Sequence, residues 1–342
     1  MSQSGPRLAT FVIPNYWQDF AKCQKYLPQT LQGIYDQTDT QWQIIIIDDN
    51  SPSPEMPDYL NQLQKSRPDQ ITLVCKKTND GAGVCRNIGI EMAAQSGSPL
   101  ILFNDADDVS HPRRLETVRR ILDEDPEIDV VYSTFNAIDE ENNRIPLSRL
   151  APTILEEIES HQSGPPQGFH AWIEIGTAKG YSNLTSSTAV RTGLAMKYPF
   201  PPERVSEDSH TWMRYSAGGN KFHYTPVIPT LYRIPQNVHG SSSWTREGGK
   251  RYFLEKKAEV DTQGFIEAIQ IAAKRPDLRD FNPDQLLAKF HLRLAETFAK
   301  EKENDLALIQ MNHALKIAPK EAEQLIKNNN FLKDVYNSGA ET

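Results

Sequence analysis

Three carboxylates fall within four positions at Asp105-Ala106-Asp107-Asp108, directly after the apolar run Leu100–Phe103 and Asn104. Acids packed this closely repel one another, so a countercharge is needed to hold them together. A hard divalent cation is the simplest candidate, because it takes oxygen ligands and can share them with a substrate diphosphate. The competing reading is a solvated acidic turn in which Asp108 caps the helix that starts near Pro112. Two more acid pairs stand in similar places: Asp48-Asp49 follows four isoleucines, and Glu207-Asp208 precedes Trp212, Met213 and Tyr215 at helical spacing. A carboxylate such as Asp208, with Glu207 as its local rival, can take the proton of an attacking hydroxyl. A helix N-terminal acid pair favoured by the dipole is the alternative. Arg86 suits a diphosphate, being permanently charged and bidentate, or else a salt bridge to one of these acids. Gly81 and Gly83 let the backbone approach a ligand closely, or make a turn before a helix.

The elements that would position these residues repeat along the chain. An apolar run over 8–13 reads as a strand closed by Pro14, which cannot donate to a central ladder. Spaced apolar positions over 20–35, including Leu27, Leu31 and Ile34, read as a helix. A second strand over 41–47, a helix over 59–65 and a third strand over 71–75 follow. Then come a glycine-bearing loop turning helical over 81–94, a fourth strand over 100–103, a helix over 113–122 and a fifth strand over 128–135. This alternation predicts parallel pairing with right-handed crossovers, hence a doubly wound, mostly parallel α/β sheet with helices on both faces. Such sheets bind ligands at the carboxyl ends of their strands. Pro14-Asn15-Tyr16, Asp48-Asp49 and the 105–108 turn all lie at such ends.

The pattern weakens over 140–182, where a long connection with a short element at 171–175 is expected, and 222–231 looks extended. Pro226 and Pro229 restrict that last stretch to an edge or irregular strand. Beyond Gly249 the chain turns helical and charged. Leu294, Ala295, Phe298, Ala307, Met311, Ala314 and Pro319 fall where one tetratricopeptide-like unit over 288–321 would put them. One unit does not make a solenoid. A helical appendage packed on the body or on itself is expected, with partner docking or self-association as the second reading.

The 342 residues allow a larger domain over 1–249, in halves of about 8–135 and 136–249, with a helical extension over 250–342. A net charge of −8 without a basic block argues against a nucleic-acid partner. Cys23, Cys75 and Cys85 are odd in number and lack metal-type pairing, which suits a reducing compartment. No apolar stretch approaches the roughly 18 residues of a membrane span, and the first residues do not read as a signal peptide. The expectation is a cytoplasmic protein, with peripheral membrane contact left open.

Taken together and in order, these stretches closely resemble the family 2 glycosyltransferases of GT-A fold. Phe11 to Tyr16 stands for the opening strand and turn, and Ile44 to Ser51 for the strand ending in paired acids. Asn79-Asp80-Gly81 with Arg86-Asn87-Ile88-Gly89, the 105–108 motif with Pro112, Glu207-Asp208 with Arg214 and Gly218, and Tyr232-Arg233 with His239 and Ser242 complete the set. The likeness spans about 8–245, and the helical tail lies outside it. Asn15, Trp17, Asn104 and the late His239 depart from the usual pattern.

The resemblance implies a metal-dependent, inverting transfer of a sugar from a nucleotide-sugar, a UDP-sugar favoured, to a carbohydrate or other hydroxyl acceptor. It implies Mn2+ or Mg2+ on Asp107, with Asp105 on the ribose or a metal-bound water; His239 could complete the shell, since imidazole suits Mn-type ions, or be a hydrogen-bonded loop histidine. Asp48 and Asp49 would contact the nucleoside, although one of them could instead cap the turn at Asn50-Ser51. Pro14, Asn15, Tyr16, Gly81, Arg86, Asp105 and Ala106 would line the donor, and Asp208 would be the general base. Trp172, Tyr181 and Trp212 are candidates for stacking on sugar faces, or else core. The alternatives are a non-catalytic nucleotide-sugar-binding scaffold whose tail docks a partner, and a nucleotidyltransferase.

Overall fold

The computed structural model describes residues 8–236, 244–245, 247–278 and 280–339. Its centre is a seven-stranded sheet of β1 (Ala9–Asn15), β2 (Trp42–Asp48), β3 (Ile71–Cys75), β4 (Leu100–Phe103), β5 (Ile128–Ile138), β6 (Thr188–Arg191) and β7 (Lys221–Arg233), in the order β3-β2-β1-β4-β6-β5-β7. All neighbours pair in parallel except β6, which runs antiparallel to both β4 and β5. The sheet is therefore mixed but mostly parallel, as the alternating pattern predicts. β6 lies just past the weak stretch, where Thr188-Ala189-Val190-Arg191 carries no apolar run like that of β4, and β5 docks on β6 instead of directly on β4.

Side chains alternate between the faces of each strand. Phe11, Ile13, Ile44, Ile46 and Leu102 point to one face, covered by α1 (Phe20–Tyr35), α2 (Met56–Ser66) and α4 (Arg114–Glu124). Val12, Ile45, Ile47, Ile101 and Phe103 point to the other, covered by α3 (Ala82–Gln95) and α8 (Glu207–Gly218). The connection from β5 to β6 carries two helices, α5 (Pro152–Ser163) and α6 (Ala171–Glu174), and α7 (Thr192–Lys197) follows β6. At the sheet edge, β7 pairs with β5 up to Thr225 and resumes at Thr230, so 226–229, with both prolines, bulges out of the ladder. That is where proline is tolerated in a sheet.

The C-terminal helices are α9 (Lys250–Ala273), α10 (Pro283–Lys300), α11 (Asn304–Ile317), α12 (Pro319–Asn328) and α13 (Asn330–Gly339). They share one apolar cluster with the α3/α8 side of the sheet: Phe265 of α9 packs on Trp172 of α6 and stacks on Phe290 of α10. Trp172 and Trp212 are fully buried in this cluster. Stacking on a sugar is thereby excluded for both. No helix among the described residues is long and apolar enough to cross a membrane.

Candidate active site

The acidic turn after β4 is built on Asn104. Its amide donates to the carbonyls of Asp105 at 2.9 Å and Asp108 at 3.1 Å, and its oxygen accepts from Ser110 Oγ at 2.7 Å. A polar residue thus ends an apolar strand because it braces the turn. Asp108 is fully buried and accepts from the Arg233 backbone N–H at 2.9 Å. Burial pushes its carboxyl well above the usual range, and Asp107 and Asp105 add to the effect. The N-cap position of α4 is Arg113, so Asp108 does not cap that helix. Asp105 and Asp107 stay partly exposed.

The countercharge for the acids comes largely from arginine. Arg86 on α3 is 3% exposed and bridges two acids, with Nη2 2.9 Å from Asp105 Oδ1 and Nη1 2.8 Å from Glu207 Oε1. Burial alone would lower its affinity for a proton, but Asp105 and Glu207 raise it on balance. Arg114 donates to the carbonyls of Phe103 and Thr188 beneath the turn, and Arg233 Nε donates to the Asp107 carbonyl at 3.0 Å. Asp105 N–H meets Ser186 Oγ at 2.9 Å. Asp105 and Asp107 still fit a divalent ion, because one or two carboxylates completed by phosphate oxygens and water make a Mg-type site. Among the described residues no three His, Cys, Asp or Glu gather to hold an ion unaided. His239 lies outside the described residues.

The Asp48-Asp49 pair is already engaged within the protein. Asp48 is bound by Asn15 Nδ2 and Ser51 Oγ, each at 2.7 Å, and by the Ser51 N–H, so Asp48 is the member that caps the Asn50-Ser51 turn. Asp49 accepts from Lys76 and from the backbone N–H groups of Asp80 at 3.0 Å and Gly81 at 2.8 Å. Gly81 has φ +96°, a left-handed backbone that favours glycine, and it hands the chain to α3 and Arg86. Pro14 and Asn15 sit at the carboxyl end of β1, Asn15 facing Asp48 in register, with Tyr16 exposed just beyond. Ala106 is buried, and its carbonyl accepts from Thr30 Oγ1.

The two acids of α8 diverge. Glu207 turns to Arg86, whereas Asp208 Oδ2 lies 3.5 Å from Thr185 Oγ1 and Oδ1 accepts from the Ser209 N–H at 2.7 Å. Tyr181 and the buried Glu157 of α5 are both close enough to interact with Asp208 electrostatically. Glu157 Oε1 has no partner among the described residues, and burial followed by the Asp208 charge pushes its carboxyl well above the usual range. Nothing in the sequence around Glu157 marks it, since its surroundings are tertiary.

Burial, then Asp208, pushes Glu207 up to about 7 from an ordinary 4.5, with Arg86 pulling the other way. An acid raised in the folded state contributes stability that is complete below the unfolded value and lost as pH rises through the folded one. The stability of the wild type relative to Glu207→Gln should therefore fall between about pH 4.5 and 7, by at most about 1.4 kcal/mol per pH unit, and level off on either side. Urea unfolding of both proteins across pH 4–8 measures this. A flat difference would mean that Glu207 is solvated.

Comparison with known proteins gives a consistent result. The model of the family described as Glycosyl transferase family 2 matches residues 10–183. The UDP-Glc:alpha-D-GlcNAc-diphosphoundecaprenol beta-1,3-glucosyltransferase WfaP of Escherichia coli is 24% identical over 66% of this chain and 77% of its own. Among solved structures, Staphylococcus aureus TarS 1-349 in complex with UDP-GlcNAc aligns with a TM-score of 0.61 at 17% identity, over 93% of this chain and 83% of that one. The mannosyltransferase PcManGT of Pyrobaculum calidifontis, in complex with GDP-Man and Mn2+, aligns with a TM-score of 0.53 at 17% identity, over 95% and 80%. Two other curated relatives are spanned over only 38% and 34% of their length.

Proposed function

Because this chain belongs to glycosyl transferase family 2, we propose that it moves a sugar from a UDP-sugar to an acceptor hydroxyl with inversion, using a divalent metal and Asp208 as the base. One observation carries this reading: Arg86 ties Asp105, on the turn that would hold the donor, to Glu207, whose neighbour Asp208 would meet the acceptor. Both reaction partners would then be held by one rigid cross-strut. Bound Mn2+ or Mg2+ on Asp107 and Asp105 would neutralise charge on the leaving diphosphate. Arg86 is placed to exchange part of its pairing with Asp105 for a diphosphate oxygen. Asp208 would take the acceptor proton as the hydroxyl attacks from the side opposite the leaving group. Asp48 and Asp49 act by fixing the backbone that frames the nucleoside, since their oxygens already hold Asn15, Ser51, Lys76 and the 80–81 amides.

Thermal unfolding with UDP, UDP-glucose, UDP-N-acetylglucosamine or GDP-mannose, each with Mn2+ or with chelator, tests the donor. A ligand at 100 times its Kd should add about 2.7 kcal/mol of stability. Uridine nucleotides with Mn2+ should stabilise the wild type, and Asp107→Asn should lose the metal-dependent part. Stabilisation by GDP-mannose alone would overturn the donor assignment, and none by any of them would favour a scaffold without transfer.

A further inference from the structure

The turn that leads into the acid pair is braced from the C-terminal tail, outside the stretch that carries the family match. Ser206, directly before Glu207, has φ 62° and ψ 20°, a left-handed backbone at a residue that is not glycine. Such a conformation persists only where its surroundings over-determine it. Ser206 does not cap its own helix. Its hydroxyl instead donates to Asp261 Oδ1 on α9 at 2.6 Å, and Lys257 Nζ donates to Ser206 Oγ at 3.2 Å and Asp261 Oδ2 at 2.7 Å. Asp261 is 1% exposed. Lys257 and Arg293 of α10 outweigh that burial and hold its carboxyl below the usual range.

The contact continues along both helices. Ser206, just before α8, and His210 and Arg214 on it recur every four residues, opposite Lys257, Asp261, Gly264 and Glu267 on α9. A Cβ on Gly264 would stand 2.7 Å from the His210 Cα, so the two backbones meet at that point. Arg214 Nε lies 3.5 Å from Glu267. Helix α9 is thus keyed to α8 in both register and depth.

We propose that α9 is a positioning element of the transfer site: Asp261 and Lys257 hold Ser206 in its left-handed turn and so aim Glu207 and Asp208 into the cleft. This rests on Asp208 being the base, but it is tested at a different residue. In the full chain, Ser206→Ala loses the hydroxyl and keeps the backbone penalty, whereas Ser206→Gly loses the hydroxyl and removes the penalty. UDP release from UDP-glucose or UDP-N-acetylglucosamine, with water as acceptor, should fall at least tenfold in kcat for Ser206→Ala, with UDP affinity within twofold. Ser206→Gly should stay within threefold of wild type.

Asp261→Ala should behave like Ser206→Ala, and adding Ser206→Gly to it should restore kcat, a rescue that general loss of stability would not give. Amide hydrogen exchange over 207–211, read on the same proteins, needs no turnover: it should quicken in Ser206→Ala and Asp261→Ala, and not in Ser206→Gly. If the alanine and glycine variants match in both readouts, or if UDP affinity falls together with kcat, the positioning role is refuted. An Asp208→Asn enzyme that still turns over would refute the base and leave this contrast standing.

Discussion

Asp208→Asn should lower transfer about a thousandfold while UDP binds with an affinity within about twofold of wild type. The figure is the usual scale of general-base removal, about 10²- to 10⁴-fold. Asparagine keeps the shape and can still accept from Thr185 and the Ser209 amide, which are the two donors whose distances define the side chain's place. What it loses is the capacity to take a proton. The hydrogen bonds of Asp208 run to Thr185 and Ser209, away from Arg86 and the 105–108 turn, so the donor half should be left as it is. Turnover and calorimetric UDP titration on one preparation measure both quantities. Equal loss of binding and turnover would move Asp208 out of the base role. A thousandfold loss in Glu207→Gln with a near-normal Asp208→Asn would exchange the two assignments.

Arg86→Met should cost about 3–5 kcal/mol of stability at pH 8, the scale for breaking a buried ion pair by removing one partner. Methionine roughly fills the space and keeps an apolar contact with Phe200, over whose ring the guanidinium lies at 5.3 Å. The loss is therefore electrostatic: without Arg86 the Glu207 carboxyl, 13% exposed at its side chain, rises further and must either take up a proton or stay charged without a partner, and Asp105 would lose the guanidinium. The pH dependence gives the sign. Below about pH 7 Glu207 is protonated in both folded proteins, so the deficit should be smaller there and grow as pH rises above 7, where the wild type gives up the proton more readily than the variant. Urea unfolding at pH 5 and pH 8 reads this directly. A deficit under about 1 kcal/mol at pH 8 would mean that water or another cation replaces the guanidinium.

The half of the molecule made of long, regular signals was legible in the sequence. Apolar runs ending in Asp48 and in the 105–108 turn place their acids at strand ends, and the parallel pairing brings Asn15 and Asp48 into register. The edge position of 222–231 followed from two prolines. What was not legible depends on groups that are distant in sequence. The partners of Arg86 lie 19 and 121 positions away, and no local pattern says that one guanidinium serves both acids. The burial of Glu157 and the divergence of Glu207 from Asp208 are likewise products of packing. Lys257 and Asp261 are visible as a pair four apart, but such pairs are usually solvated, and only the approach of α8 turns this one into a brace.

The strand order has a consequence for synthesis. β1 to β4 can pair as soon as they leave the ribosome, but β5 waits for β6, which is made 53 residues after β5 ends at Ile138, counting to Arg191. β4 ends at Phe103, 88 residues before Arg191, so at about 5–20 residues per second the nascent chain carries β4 with one open edge for roughly 4–18 s. An unpaired strand edge is a template for foreign pairing. Leu100 to Phe103 is short and is followed at once by Asn104 and three aspartates, a composition that discourages another strand from extending along it. The residues assigned to catalysis would then also guard the nascent chain against misassociation, so neutralising them should increase aggregation during translation more than it does in the finished protein.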